Sequence, residues 1–309
     1  MGYKLAGYDV IGNVEIDPRV MKVYQTNNHP KYPYLMDVRD FLKLPDAKLP
    51  KEIFNLDILD GSPPCSVFST AGEREKGWNK EKVFREGQAK QKLDDLFFSF
   101  IQIAEKLKPK VVIAENVSGL LKGNARGYVN EIFKAFDTAG YKTQLFLLNA
   151  AFMGVPQKRE RCFFIAHRKG LEYSKLQLSF QEKPILFGEV RTENGKPSKD
   201  GVYQDLLKYR IKSDKSIADI SKRVRGRDSG FGCAILHDDE VAFTLISSGN
   251  AYRYCDAMRV SDGDCCGIQT FPQDYDFGEQ TAKYICGMSV PPVMMAQIAS
   301  EIYAQWLSK

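Results

Sequence analysis

The sequence predicts an α/β fold: a doubly wound, mostly parallel sheet that carries a smaller, irregular second lobe. Three observations predict it. Short apolar runs alternate with amphipathic stretches through the first 170 residues, which is the rhythm of a parallel sheet with helices on both faces. The run VVIA within KPKVVIAEN (108–116) has no polar alternation, as expected of a strand buried on both faces. After about residue 170 the rhythm stops, and polar, glycine-containing sequence such as EVRTENGKPSKDG takes over.

In order along the chain, DVIGNVEID (9–17) reads as a strand and DPRVMKVYQTNN (17–28) as the helix after it. LDILDG (56–61) is a strand. KQKLDDLFFSFIQIAEKLKP (90–109) is a long helix, because Leu93, Leu96, Phe97, Phe100, Ile101, Ala104 and Leu107 recur at helical spacing. KPKVVIAEN is the next strand, and GYVNEIFKAFDTAG (127–140) a helix ending at Gly140. Two strands follow, YKTQLFLLNA (141–150) and RCFFIAHR (161–168). Residues 171–255 read as a separate small lobe, and 256–309 as a return to the main domain 1–170. The closing stretch SVPPVMMAQIASEIYAQWLSK is an amphipathic helix entered through Pro291 and Pro292.

Composition narrows the function classes. The chain has 309 residues, 43% hydrophobic and 27% charged, the balance of a soluble domain with a sizeable core. No apolar run is long enough to span a bilayer, and the start lacks the pattern of a signal peptide. Seven scattered cysteines, an odd number, predict reduced thiols and a cytoplasmic location. With three histidines and no Cys-x-x-Cys, no metal site is expected. A net charge of +5 permits a polyanionic partner. The basic residues concentrate between Arg210 and Arg227, either as a solvated helix face or as a loop that touches phosphates.

Ligands of open parallel sheets bind beyond the carboxyl ends of the strands. Three polar clusters fall at such ends: Cys65 after LDILDG, Glu115 with Asn116 after VVIA, and Glu15 with Asp17 after DVIGNV. Each has a plain alternative. Cys65 alone reads as a small buried hydrophobe, and Glu15 as a cap for the helix begun at Pro18. The run Gln157 to Arg161 alone is an exposed charged turn.

Together, PPCSVFS, AENVSGL, GVPQKRERCFFIAHR and GMSVPPVMMAQIA stand in the order and near the spacing of the cytosine-5 DNA methyltransferases, bacterial or phage type. The chain resembles that family over nearly its whole length, with EID, MDV and MRVSDGDCCGIQTFP as further matches. The resemblance implies a Rossmann-like methyltransferase fold, S-adenosylmethionine as methyl donor and double-stranded DNA as substrate. Residues 1–170 become the catalytic and cofactor-binding domain and 171–255 the target-recognition domain. Cys65 is implied as the nucleophile that adds to carbon 6 of cytosine and so activates carbon 5. Glu115 is implied at ring nitrogen 3 and the exocyclic amine, its pKa raised by burial against the base. Arg159 and Arg161 match the pair that holds the cytosine oxygen, the phosphate and the active-site loop, while Asn116 fixes that loop. On the cofactor side the resemblance implies Glu15 at the ribose, Ile16 beside the adenine, Asp37 and Val38 at the adenine edge, and Pro64, Leu96, Ser289 and Val290 closing the pocket. The base must be flipped out of the duplex.

Departures carry expectations of their own. Family members open with a strand and a glycine-rich turn, whereas MGYKLAGYDV looks like the helix after that turn; an upstream start is expected. Ser66 stands in place of the usual Gln, and Met288 in place of Asn. Two further readings stand beside the main one: methylation of a structured RNA, and a catalytically inactive DNA-binding relative. A cognate restriction endonuclease is an implied partner.

Overall fold

The apolar run after Lys110 is an inner strand of the main sheet. The computed structural model describes residues 1–63, 94–121, 126–198, 201–228, 232–247 and 250–308. The first half contains helix α1 (Gly2–Leu5), strand β1 (Gly12–Glu15), α2 (Pro18–Asn28), β2 (Tyr32–Leu35), α3 (Val38–Lys43) and β3 (Ile58–Gly61). Next come α4 (Asp94–Leu107), β4 (Val111–Val117), α5 (Arg126–Thr138), β5 (Tyr141–Asn149), β6 (Gln157–Lys158) and β7 (Glu160–Arg168).

The main sheet has the order β3-β4-β7-β5, and β1 and β2 form a separate parallel pair. β3 and β4 are parallel, as the helix between them requires, but β7 runs antiparallel to both β4 and β5. The reason is local. No helical crossover joins β5 to β7, so the chain turns back on itself.

The period of two on β4 and β7 explains why both faces are covered. Val112 and Ala114, with Cys162, Phe164 and Ala166, face the layer of α4 and α5 through Phe97, Ile101, Ala104, Ile132 and Phe136. Val111 and Ile113, with Phe163 and Ile165, face the opposite layer. That second layer is the C-terminal helix α11 (Pro292–Ile302) and the turn after it, through Met294, Met295, Ile298, Ile302 and Trp306. Helices on both faces are the expected architecture. Trp306 is fully buried, donates Nε1–H to Ser174 O at 2.9 Å and stacks on Tyr173. Trp306→Ala is expected to cost about 3–5 kcal/mol, measurable as a lower urea midpoint.

The rest of the chain holds α6 (Phe187–Val190), α7 (Gly201–Leu207), α8 (Ile217–Arg225), β8 (Ala234–Leu236), β9 (Ala242–Phe243), β10 (Ala251–Arg253), α9 (Asp262–Gln269) and α10 (Ala282–Met288). A small core of Tyr203, Leu206, Leu207, Ile217, Ile220, Ile235 and Tyr252 lies under α7 and α8. Helix α8 begins at a Ser216 cap and ends at Gly226 in the left-handed region, with Lys222, Arg223 and Arg225 in its last turn. Three of the seven basic residues between Arg210 and Arg227 are therefore at a helix end. Its cations complement the helix dipole there, and Arg223 also pairs with Asp214 at 2.7 Å.

Candidate active site

Residues Glu115 and Asn116 lie at the carboxyl end of β4, opposite β7. The register pairs Val117 with Arg161 and Glu115 with Phe163, so Arg161 is the diagonal neighbour of Glu115 on one face. Arg161 Nε stands 2.9 Å from Glu115 Oε1, and each side chain is only 14% exposed. A charge-assisted contact this sheltered from water is far stronger than a surface pair. Asn116 is buried and donates Nδ2–H to Pro63 O at 3.1 Å, while its Oδ1 accepts from Val117 N. It therefore ties the end of β4 to the chain leaving β3, two residues before Cys65. Cys65 and Pro64 lie outside the described residues, as does Leu93.

Arg159 is placed differently from Arg161. It is 2% exposed, and its guanidinium donates to the carbonyls of Leu245, Gly287 and Ser289, each at 3.0 Å. Burial, with Arg161 adding to it, lowers its pKa to about 9. Arg159 is thus a clamp between the β6–β7 segment and the chain on either side of α10. Sequence reasoning missed the two glutamines that extend this clamp. Gln157 is fully buried and donates Nε2–H to Gln269 Oε1 at 2.5 Å, while its own Oε1 accepts from Leu245 N. Gln269 in turn donates to Ser289 O at 2.7 Å. Their signal was present, since amides in apolar surroundings need partners, but the partners of Gln157 lie 88 and 112 residues away. Arg159→Ala should cost about 3–5 kcal/mol by orphaning three buried carbonyls. It should also weaken cofactor binding through Ser289; a melting curve with and without cofactor reads both effects.

A cleft of about 960 Å³ opens beside this assembly. Glu15, Ile16, Asp37, Val38, Leu96 and Ser289 all line it, together with Pro63. The structure therefore brings six of the expected cofactor-side residues to one cavity; Val290 instead packs beneath the sheet. Glu15 Oε1 accepts from the N–H groups of Ile16 and Asp17, both at 2.8 Å. The helix cap is Asp17, which accepts from Arg19 N, so Glu15 is not needed for that task. Asp37 caps α3, and Arg39 Nη2 sits 2.6 Å from it, holding its carboxyl below the usual range. The lining also includes Asp9, Asp17, Asp57 and Asp60 and no lysine or arginine, so among the described residues the cleft suits a cation flanked by apolar groups.

Two of the other thiols are chemically quiet. The six described cysteines are free, and burial pushes the Cys162 and Cys265 thiols up to about 12. Such thiols stay protonated and unreactive. Among the described residues no group of His, Cys, Asp or Glu is arranged to hold a metal ion, and no helix is long and apolar enough to cross a membrane.

A layered sheet with its cleft at the strand ends defines an α/β enzyme that holds its ligand beyond the carboxyl ends of its strands. The particular family follows from comparison with known proteins. The family model of the C-5 cytosine-specific DNA methylases matches residues 1–304, and the chain belongs to that family. Similar proteins include the type II methyltransferase M.FnuDI of Fusobacterium nucleatum, 28% identical over 308 residues, which span 90% of this chain and 82% of that one. M.NgoPII of Neisseria gonorrhoeae is 28% identical over 340 residues, covering 98% and 91% of the two chains. Among solved structures, a protein described as a DNA modification methyltransferase encoded within an E. coli prophage superposes with a TM-score of 0.69 at 18% identity, covering 100% and 95%. Spodoptera frugiperda DNMT2 gives 0.63 at 14% identity, covering 98% and 95%. These two likenesses concern the fold. The chain is a cytosine-5 DNA methyltransferase by family, and methyltransferases of this kind use S-adenosylmethionine.

Proposed function

We propose that this chain methylates carbon 5 of a flipped-out cytosine in double-stranded DNA, with Cys65 as the nucleophile. The observation that carries the reading is the sheltered Glu115–Arg161 pair, tied through Asn116 to the chain just ahead of Cys65. The cleft fits the methyl donor: Glu15 would hold the ribose, Ile16, Asp37 and Val38 the adenine, and Pro64, Leu96 and Ser289 the far wall, while Val290 supports that wall from beneath the sheet. Six carboxylates lining the cavity favour a cationic ligand over a neutral one. When bound, S-adenosylmethionine supplies a methyl group made electrophilic by its sulfonium.

The Cys65 thiolate adds to carbon 6, and the ring electrons move to carbon 5. Glu115, in its protonated form, gives its proton to nitrogen 3 as negative charge develops on the ring, and its other oxygen accepts a hydrogen bond from the exocyclic amine. Arg161 holds the Glu115 carboxylate in register and faces the cytosine oxygen. Arg159 acts through the backbone as a positioning residue. After methyl transfer, a water molecule takes the carbon 5 proton and Cys65 departs as thiolate, which restores the aromatic ring. The α7–α8 lobe would carry the basic helix end to the phosphates, and residues 171–255 would read the target sequence. A cognate restriction endonuclease and a cytoplasmic location fit the same reading.

Methyl incorporation into duplex DNA and into transfer RNA, measured side by side with labelled donor, tests the substrate. Incorporation into DNA alone is expected. Incorporation into RNA alone would overturn the reading, and bisulfite sequencing would give the sequence context.

A further inference from the structure

Leu245 and Ile246 divide inside from outside: Leu245 is buried, whereas Ile246 is 47% exposed. A single exposed isoleucine is ordinary on a protein surface. The backbone under this one, however, is held from both sides. Ahead of it, β9 pairs with β6 through Phe243 and Lys158, and the Thr244 hydroxyl donates to Lys158 O at 2.6 Å. Leu245 N–H donates to the buried Gln157 Oε1 at 2.9 Å, and Leu245 O accepts from the buried Arg159 at 3.0 Å. Behind it, a Cβ on Gly287 would stand 2.6 Å from the Ile246 carbonyl carbon and 2.4 Å from Ser247 N, so this peptide lies directly on α10. Gln157 and Arg159 thus fix a backbone whose own side chain adds little to the core.

The place supplies the reason. Arg159, which holds Leu245 O, also holds Gly287 O and Ser289 O, and Ser289 lines the cleft. Two positions after Arg159, Arg161 pairs with Glu115. Met288 follows Gly287, lines the cleft and is 56% exposed. Ile246 and Met288 are therefore large apolar side chains left exposed on either side of one tight backbone contact, where the cleft wall meets residues 171–255. Lys158, whose carbonyl takes the Thr244 hydroxyl, is exposed at the same edge. We infer that Ile246 is a rigid apolar contact to the duplex, packing against the base stack beside the target cytosine. The inference rests on the methyltransferase reading above. A duplex opened at one nucleotide takes two kinds of contact, a cation for its phosphates and an apolar side chain for its unstacked bases. A backbone already fixed makes the second contact without an ordering cost at each encounter.

The test is steady-state methylation of a synthetic duplex with labelled donor, using the full chain and its Ile246→Ala, Ile246→Val and Ile246→Gln variants. Ile246→Ala should raise the KM for duplex roughly 10-fold or more, the worth of up to about three buried methyl groups. The KM for the donor and the melting temperature should hold. Ile246→Val should stay within about fourfold, and Ile246→Gln, long but polar, should behave like the alanine variant. An unchanged duplex KM in Ile246→Ala would overturn the inference, as would full duplex affinity in Ile246→Gln. Equal rises in both KM values, or a clearly lowered melting temperature, would also overturn it, since lost packing alone produces those. A chain that methylates no duplex defeats the methyltransferase reading and this inference with it; in a chain that does, the variants judge Ile246 alone.

Discussion

Replacing Cys65 by serine is expected to lower methyl incorporation at least about 10³-fold while leaving the fold intact. A thiolate is accessible near neutral pH, whereas a serine hydroxyl is a weak nucleophile unless a base activates it. Burial holds Cys162 and Cys265 protonated, so neither takes over the role. The same variant should fail to form a stable adduct with DNA carrying 5-fluorocytosine, which the unmodified enzyme should trap as a slower band on a denaturing gel. Activity within tenfold of the unmodified enzyme would remove Cys65 from the mechanism.

Glu115→Gln carries the second largest effect. Gln keeps the shape and one acceptor oxygen but neither a charge for Arg161 nor an acid for ring nitrogen 3. Loss of a positioned acid or base lowers rates by about 10²–10⁴, and kcat should fall by that amount. The KM for the methyl donor should stay nearly constant, because Glu115 lies at the β4 end and is not among the residues lining the cleft. A change in KM with kcat preserved would place Glu115 in cofactor binding instead. Some stability loss is also expected, because Arg161, only 14% exposed, keeps its charge without its partner. Double substitution with Arg161→Met should recover part of that stability and none of the activity.

The legible part of the fold was the part written in local periodicity. The strands around Val14, Leu59 and Val112 and the helices that cover them follow from apolar spacing alone. Strand β2 (Tyr32–Leu35) and the short α3 after it went unseen, since Pro33 argues against a strand and six residues are too few for a helical period. The antiparallel course of β7 was hidden for a different reason: RCFFIAHR reads the same in either direction. For the site, six cofactor-side positions converge on the cleft, because strand ends gather on one rim in this topology. Arg159 was the residue least open to such reasoning. Two positions from Arg161 in sequence, it serves carbonyls 86, 128 and 130 residues further along the chain, and only the folded structure shows that side of it.

The sheet face built by Val111, Ile113, Phe163 and Ile165 is covered by side chains from the last twenty residues. On the ribosome, that face is complete long before its cover has been synthesised. More than a hundred residues must be translated between Ile165 and Met294 while a wide oily surface waits in water, a target for chaperones and for other nascent chains. Productive folding of this molecule thus waits for α11 to leave the ribosome, and a ribosome stalled before Met294 would hold a sticky product even though every strand of the main sheet had emerged.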